Sequence, residues 1–135
     1  ADGSVVVGGV FDTLDGVEQR NLGRVLADGT VDAELRVLSD TGVFTTLATF
    51  EDGLWLGGDM GQVAGSAAGR LVKLDHRGRR APAQSPALNR PPLALLPLDN
   101  DRLLVGGDFT QVGAQVASHL LLVENSSGAR LPLSV

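Results

Sequence analysis

The sequence predicts an all-β fold assembled from three near-copies of one small sheet. Three observations carry that expectation. The first is a recurring phrase. Val5-Val6-Val7-Gly8-Gly9-Val10-Phe11 becomes Leu54-Trp55-Leu56-Gly57-Gly58-Asp59-Met60, then Leu103-Leu104-Val105-Gly106-Gly107-Asp108-Phe109. The leading glycines stand at 8, 57 and 106, a period of 49. A fixed period of this length marks a repeat architecture. Second, no stretch of ten or more residues places apolar side chains at i, i+3, i+4 and i+7, so helices find no support. Third, there are 18 glycines and the apolar runs are short, the composition of many strands joined by tight turns.

Each copy opens on a turn: Asp2-Gly3, Asp52-Gly53 and Asn100-Asp101. Asp-Gly between apolar runs signals a hairpin, because the favoured tight turns need positive φ. Upstream of the second turn, residues 43–50 are rich in β-branched residues and Phe, and read as a strand. Residues 93–98 fill the same slot in the third copy. Pro97 there cannot donate to a ladder, so its N–H side must face outward or a bulge. No such strand precedes the first copy.

The paired glycines predict a bulge or a close backbone approach, since glycine weakens a strand interior. Phe11, Met60 and Phe109 follow at matching positions, where neighbouring sheets would pack. Leu14, Val63 and Val112 come next, then Gly16, Gly65 and Ala114. A further strand is predicted over Leu22 to Leu26, Leu71 to Asp75 and Leu120 to Glu124. It ends at the turns Asp28-Gly29, Arg77-Gly78 and, with one residue inserted, Ser127-Gly128. A short tail after each turn is a weaker fourth strand.

Composition narrows the chemistry. The chain has 135 residues, net charge −5 and no Cys, which excludes disulfides and thiolate metal sites. No apolar run approaches the roughly 18 residues of a membrane span, and no signal peptide is visible. A start at Ala1 rather than methionine suggests a processed or excised chain. Charge is uneven: residues 1–60 sum to −8, whereas residues 70–90 sum to +5. Acidic balance and the absence of interleaved aromatics argue against a nucleic-acid partner.

These residues resemble the delta-60 repeat family of bacterial β-propellers. The first copy matches best, with Asp2-Gly3, Gly8-Gly9-Val10-Phe11, Gly16, Asn21-Leu22-Gly23-Arg24-Val25 and Asp28-Gly29-Thr30-Val31-Asp32. The second puts Met60 for Phe and Arg77 for the turn acid, and the third loses the basic residue at Leu122. The resemblance implies a four-stranded blade per repeat and an extracellular or cell-surface setting. It implies no known activity. Blade 1 is expected over about 1–35, blade 2 over about 43–84 and blade 3 over about 93–135, all in one repeat domain. Propellers close with four to eight blades. Three blades, one strand short, therefore stay open or are completed by another chain. The alternative is a β-trefoil or β-prism, which closes with three repeats.

No nucleophile constellation or acid–base pair can be assigned, so an enzyme is not expected, and no cofactor or metal site is read. His76 and His119 fall in different phases of the repeat. Asp59 and Asp108 share one slot after the glycines, where they would bind a ligand or cap a bulge. Trp55, the single Trp, would stack on a sugar ring if exposed, but its alignment with Val6 and Leu104 argues for burial. Arg77, Arg79, Arg80 and Arg90 form a basic, Pro-rich connection suited to an acidic partner. The expectation is a non-enzymatic structural or protein-interaction module of a surface or secreted bacterial protein. Its partner would be another protein or further copies of itself. The alternative is a lectin-like domain that binds a glycan.

Overall fold

A computed structural model describes residues 3–9, 11–19, 21–35, 42–63, 66–82, 86–99 and 101–133. Met60's side chain, Gly65 and Asn100 lie outside the described residues. The strands in chain order are β1 (Val5–Gly8), β2 (Thr13–Leu14), β3 (Val17–Glu18), β4 (Leu22–Val25), β5 (Gly42–Phe50), β6 (Gly53–Val63) and β7 (Ser66–Leu74). They continue with β8 (Pro92–Pro97), β9 (Arg102–Gly107), β10 (Gln111–Val112), β11 (Gln115–Val116), β12 (Leu120–Glu124) and β13 (Arg130–Leu131). All pairing is antiparallel.

The repeat is visible in the register. Gly8 pairs with Leu22, Gly57 with Leu71 and Gly106 with Leu120, so each leading glycine meets the same partner of its own copy. Blade 3 is a complete sheet in the order β13-β12-β9-β8. Blade 2 has β5-β6-β7, and its fourth strand is reduced to the bridge between Leu74 and Arg80. Blade 1 has β1-β4 and the bridge between Val25 and Val31. None of these sheets closes on itself, so the fold is an open array of propeller-type blades. Three-fold closure as a trefoil or prism is not what the chain adopts.

Two local features depart from the sequence expectation. Phe50 pairs with Gly53, so Glu51 and Asp52 form the two-residue turn and Gly53 already belongs to β6. Gly53 is glycine because a Cβ there would strike the Leu74 carbonyl oxygen. The second concerns the segment after the paired glycines. Blades 1 and 3 leave the sheet there and insert the small hairpins β2–β3 and β10–β11. The chain re-enters through a left-handed residue, Asn21 at φ 63° and His119 at φ 69°. Asn and His tolerate that region better than most residues. Blade 2 has Arg70 in this slot, and there β6 and β7 run on as one long hairpin with a register shift after Gly57.

Pro97 sits on β8, the edge of its sheet, where a missing N–H costs nothing. The bulge expected near the paired glycines is present in β8 between Pro92 and Ala94, opposite Gly106 and Gly107. Gly107 there lies against the backbone of Pro91, Pro92 and Leu93.

Gly53→Ala forces a methyl into an unyielding backbone carbonyl, and urea unfolding should register a loss above about 2 kcal/mol. Gly16→Ala is the comparison. Nothing lies within 4 Å of that site, and its φ of 78° is the only obstacle, so the expected loss is about 1 kcal/mol.

Candidate interaction surface

Successive side chains of a strand point to opposite faces, so each blade has two. One face, called A here, carries Val5 and Val7 in blade 1, Leu54, Leu56, Val72 and Leu74 in blade 2, and Leu103, Val105, Leu121 and Val123 in blade 3. The opposite face, B, carries Val6, Gly8 and Leu22 in blade 1, Ala48, Trp55 and Leu71 in blade 2, and Leu96, Leu104, Leu122 and Leu131 in blade 3.

The core divides along these faces. One cluster joins Leu22 and Val6 of face B in blade 1 to Leu54, Leu56, Val72 and Leu74 of face A in blade 2. Leu35, which no sequence pattern marked, is fully buried in it. The other cluster joins Ala48, Trp55 and Leu71 of face B in blade 2 to Leu103, Val105, Leu121 and Val123 of face A in blade 3. Phe109 is wholly buried there, the packing role expected of the large apolar residue after the glycines.

A polar latch crosses each junction at the same repeat position. In the first, Arg24 Nη1 of blade 1 donates to the carbonyl oxygen of His76 in blade 2 at 3.2 Å and to Asp32 Oδ2 at 3.2 Å. The Arg24 Nη2 and His76 Nδ1 atoms are 3.2 Å apart, and His76 Nε2 meets the Glu51 carbonyl. Arg24 can only donate, so Nδ1 of His76 accepts there while Nε2 donates to the carbonyl. In the second junction, Lys73 Nζ of blade 2 donates to the carbonyl oxygen of Asn125 in blade 3 at 2.9 Å and to Asp52 Oδ2 at 2.7 Å. Asn125 Nδ2 donates to Asp52 Oδ1 at 3.1 Å, and Trp55 Nε1 donates to Asn125 Oδ1 at 3.0 Å. Lys73 lies 49 residues after Arg24, and Asn125 lies 49 after His76. The third copy has Leu122 in the cation slot, and the latch ends with it.

Lys73 and Asn125 are buried, while the Asp52 side chain is partly exposed. Burial works against ionisation of Asp52. The hydrogen bonds from Lys73 and Asn125 and the Lys73 charge outweigh it and hold the carboxyl below its ordinary 3.8.

The residues singled out from the sequence are not brought together. Trp55 is 0% exposed. An indole buried between two blades cannot stack on a sugar ring, so it leaves the set of ligand candidates. Asp59 and Asp108 are exposed. The turn-capping carboxylates are others: Asp28 accepts from the Thr30 N–H at 3.0 Å, Asp75 from Arg77 at 2.9 Å and Asp99 from Asp101 at 2.9 Å. Arg77 and Arg79 are exposed at the turn after β7, where Arg79 pairs with Asp75 at 3.2 Å. Arg80 is held in the bridge to Leu74. The carbonyl of Leu88, two residues before Arg90, accepts from Arg70 Nη1 of β7 at 3.1 Å.

The latch residues were the ones that sequence reasoning missed. Their signal was available in the 49-residue offset that joins His76 to Asn125, although the two residue types differ.

At the ends of the array the faces lie open. Val5, on face A of blade 1, is 59% exposed, whereas its equivalents Leu54 and Leu103 are 0% exposed. On face B of blade 3, Leu96, Leu104, Leu122 and Leu131 stand in one register row across all the strands of the sheet. Leu96 there is 53% exposed, Leu104 and Leu131 are half-buried and Leu122 is buried.

A family model described as a domain of unknown function, DUF5122, with a β-propeller architecture, matches residues 1–34. That segment is blade 1. No curated protein and no solved structure matches the chain. Among the described residues, no helix is long and apolar enough to cross a membrane.

Trp55→Phe keeps most of the apolar volume but leaves Asn125 Oδ1 without its donor, and thermal or urea unfolding should show a loss of about 1–3 kcal/mol. Asp52 contributes stability above its ordinary value, and that contribution fades as pH falls through the lower folded-state value. Acid titration should therefore destabilise the wild type more steeply below about pH 4 than Asp52→Asn, whose side chain does not titrate.

Proposed function

We infer that this chain is a non-enzymatic structural and protein-interaction module, a stretch of propeller whose ring is completed by a second copy of the same chain. One observation supports this above the others. The two open ends are faces A and B, the same two kinds of surface that already pack together at both internal junctions. A blade that follows blade 3 would meet its leucine row as blade 3 meets Trp55. An apolar row that is left partly open, as this one is at Leu96, marks an interaction surface.

Head-to-tail contact between unlike faces is heterologous, and it closes into a ring when the rotation per unit divides a full turn. Two copies would give six blades, within the usual range for closure. The delta-60 likeness adds a surface or secreted bacterial setting to this reading.

The test is light scattering coupled to size exclusion. The wild type should run as more than one chain. Leu96→Glu blocks one end and Val5→Glu the other, and each variant alone should run as a monomer with an unchanged β-type circular dichroism spectrum. An equimolar mixture retains one intact pair of faces and should give particles of two chains. A wild type that stays monomeric and soluble at concentrations near 1 mM overturns the reading.

A further inference from the structure

Lys73 is the only lysine in the chain, and it is buried. Lysine is almost never fully buried unless paired. Its Nζ lies 2.7 Å from Asp52 Oδ2 and 2.9 Å from the Asn125 carbonyl oxygen. The second oxygen of the same carboxylate, Asp52 Oδ1, accepts from Asn125 Nδ2 at 3.1 Å. One carboxylate thus holds an amine and a primary carboxamide side by side. The carboxamide oxygen, Asn125 Oδ1, accepts from Trp55 Nε1 at 3.0 Å. Trp55 stands opposite Lys73 in the ladder and is wholly buried. A nucleophile, an electrophile, a proton-transfer group and an oxyanion donor therefore meet in one network. The first latch lacks this set. Arg24 and His76 fill the positions of Lys73 and Asn125 there, and a guanidinium and an imidazole do not join as an amide.

We propose that Lys73 and Asn125 join in an isopeptide bond that ties blade 2 to blade 3, with Asp52 as the proton-transfer group. The ion pair described above is the unreacted form. Lys73 Nζ first passes a proton to Asp52 Oδ2, which leaves a neutral amine. The amine lone pair forms the N–C bond at Asn125 Cγ, and the carbonyl π pair moves onto Oδ1. Trp55 Nε1 donates to the oxyanion that develops there. Asp52 gives its proton to Nδ2, the C–Nδ2 bond breaks, and ammonia leaves as the carbonyl re-forms. Asp52 then takes the second proton from the new amide nitrogen and returns it to the ammonia, so that ammonium is released. Nothing is oxidised or reduced, and no co-reactant is consumed. Partial burial of Asp52 favours the first transfer, whereas its hydrogen bonds and the Lys73 charge oppose it. The amine is therefore neutral only a small part of the time, and the bond forms slowly. Held geometry offsets that scarcity, because the reacting groups need not find each other.

The test is the intact mass of the full, folded chain, followed over weeks at neutral pH. It should fall by one ammonia. Trypsin cuts after Lys and Arg, so an unreacted Lys73 is cleaved. The bond should instead give one branched peptide that joins residues 71–77 to residues 103–130. Chain held in urea should give no branched peptide, because the network exists only where the two blades pack. Lys73→Arg restores the cation of the first latch; it should keep its full mass and an unchanged β-type circular dichroism spectrum. Asp52→Asn should form the bond at least about a hundredfold more slowly, and Trp55→Phe at least about tenfold. A folded wild type that yields no branched peptide overturns the proposal. So does loss of ammonia with Lys73 still cleavable, which marks Asn125 closing on its own backbone. Equal rates in the wild type and Asp52→Asn overturn it as well.

Discussion

Packing of face B of one blade on face A of the next is the interaction on which the rest of this structure depends. No single sheet here has a core of its own. Each apolar cluster draws its side chains from two successive blades, so a blade is stable only against a neighbour. Truncating a buried aromatic such as Trp55 costs on the order of 3–5 kcal/mol, whereas a hydrogen bond contributes about 1 kcal/mol net. Apolar contact between faces therefore supplies most of the stability, and the polar groups at the junction have a different task.

That task is alignment. Arg24 and Lys73 each reach across a junction to a main-chain carbonyl at one fixed repeat position, His76 in one case and Asn125 in the other. Two apolar sheets can slide over each other at small cost, but a buried cation has few places where its donors are met. Lys73 shows the constraint most fully. Its ammonium is satisfied by Asp52 from its own blade and by the Asn125 carbonyl from the next, and the Asn125 side chain ties Asp52 and Trp55 into the same network. Pairing the ion from both sides offsets its desolvation. With Leu122 in the cation slot, blade 3 carries an apolar row on face B where the earlier blades place a charge.

The same logic applies to the outward surfaces: among the described residues, Val5 on face A of blade 1 is 59% exposed where its equivalents Leu54 and Leu103 are buried, and β1 pairs with β4 alone.

The sequence alone determined the strand content, the 49-residue period and the turn glycines. Gly29, Gly78 and Gly128 all take the positive φ expected of their turns, because tight turns are set by a few adjacent residues. Only the tertiary structure decided which partner each residue meets. Trp55 shows its alignment with aliphatics in the sequence, but not its bond to an Asn 70 residues away. Asp52 reads as a turn residue, and its carboxylate becomes the counter-ion of a lysine on the third strand of its blade. Asn21 and His119 share a left-handed backbone that Arg70 avoids, so blade 2 took a long hairpin where its relatives made a break. Local propensity is written in neighbouring residues. The latch and the two faces depend on how one sheet lies on the next, and that is fixed only when the whole array packs.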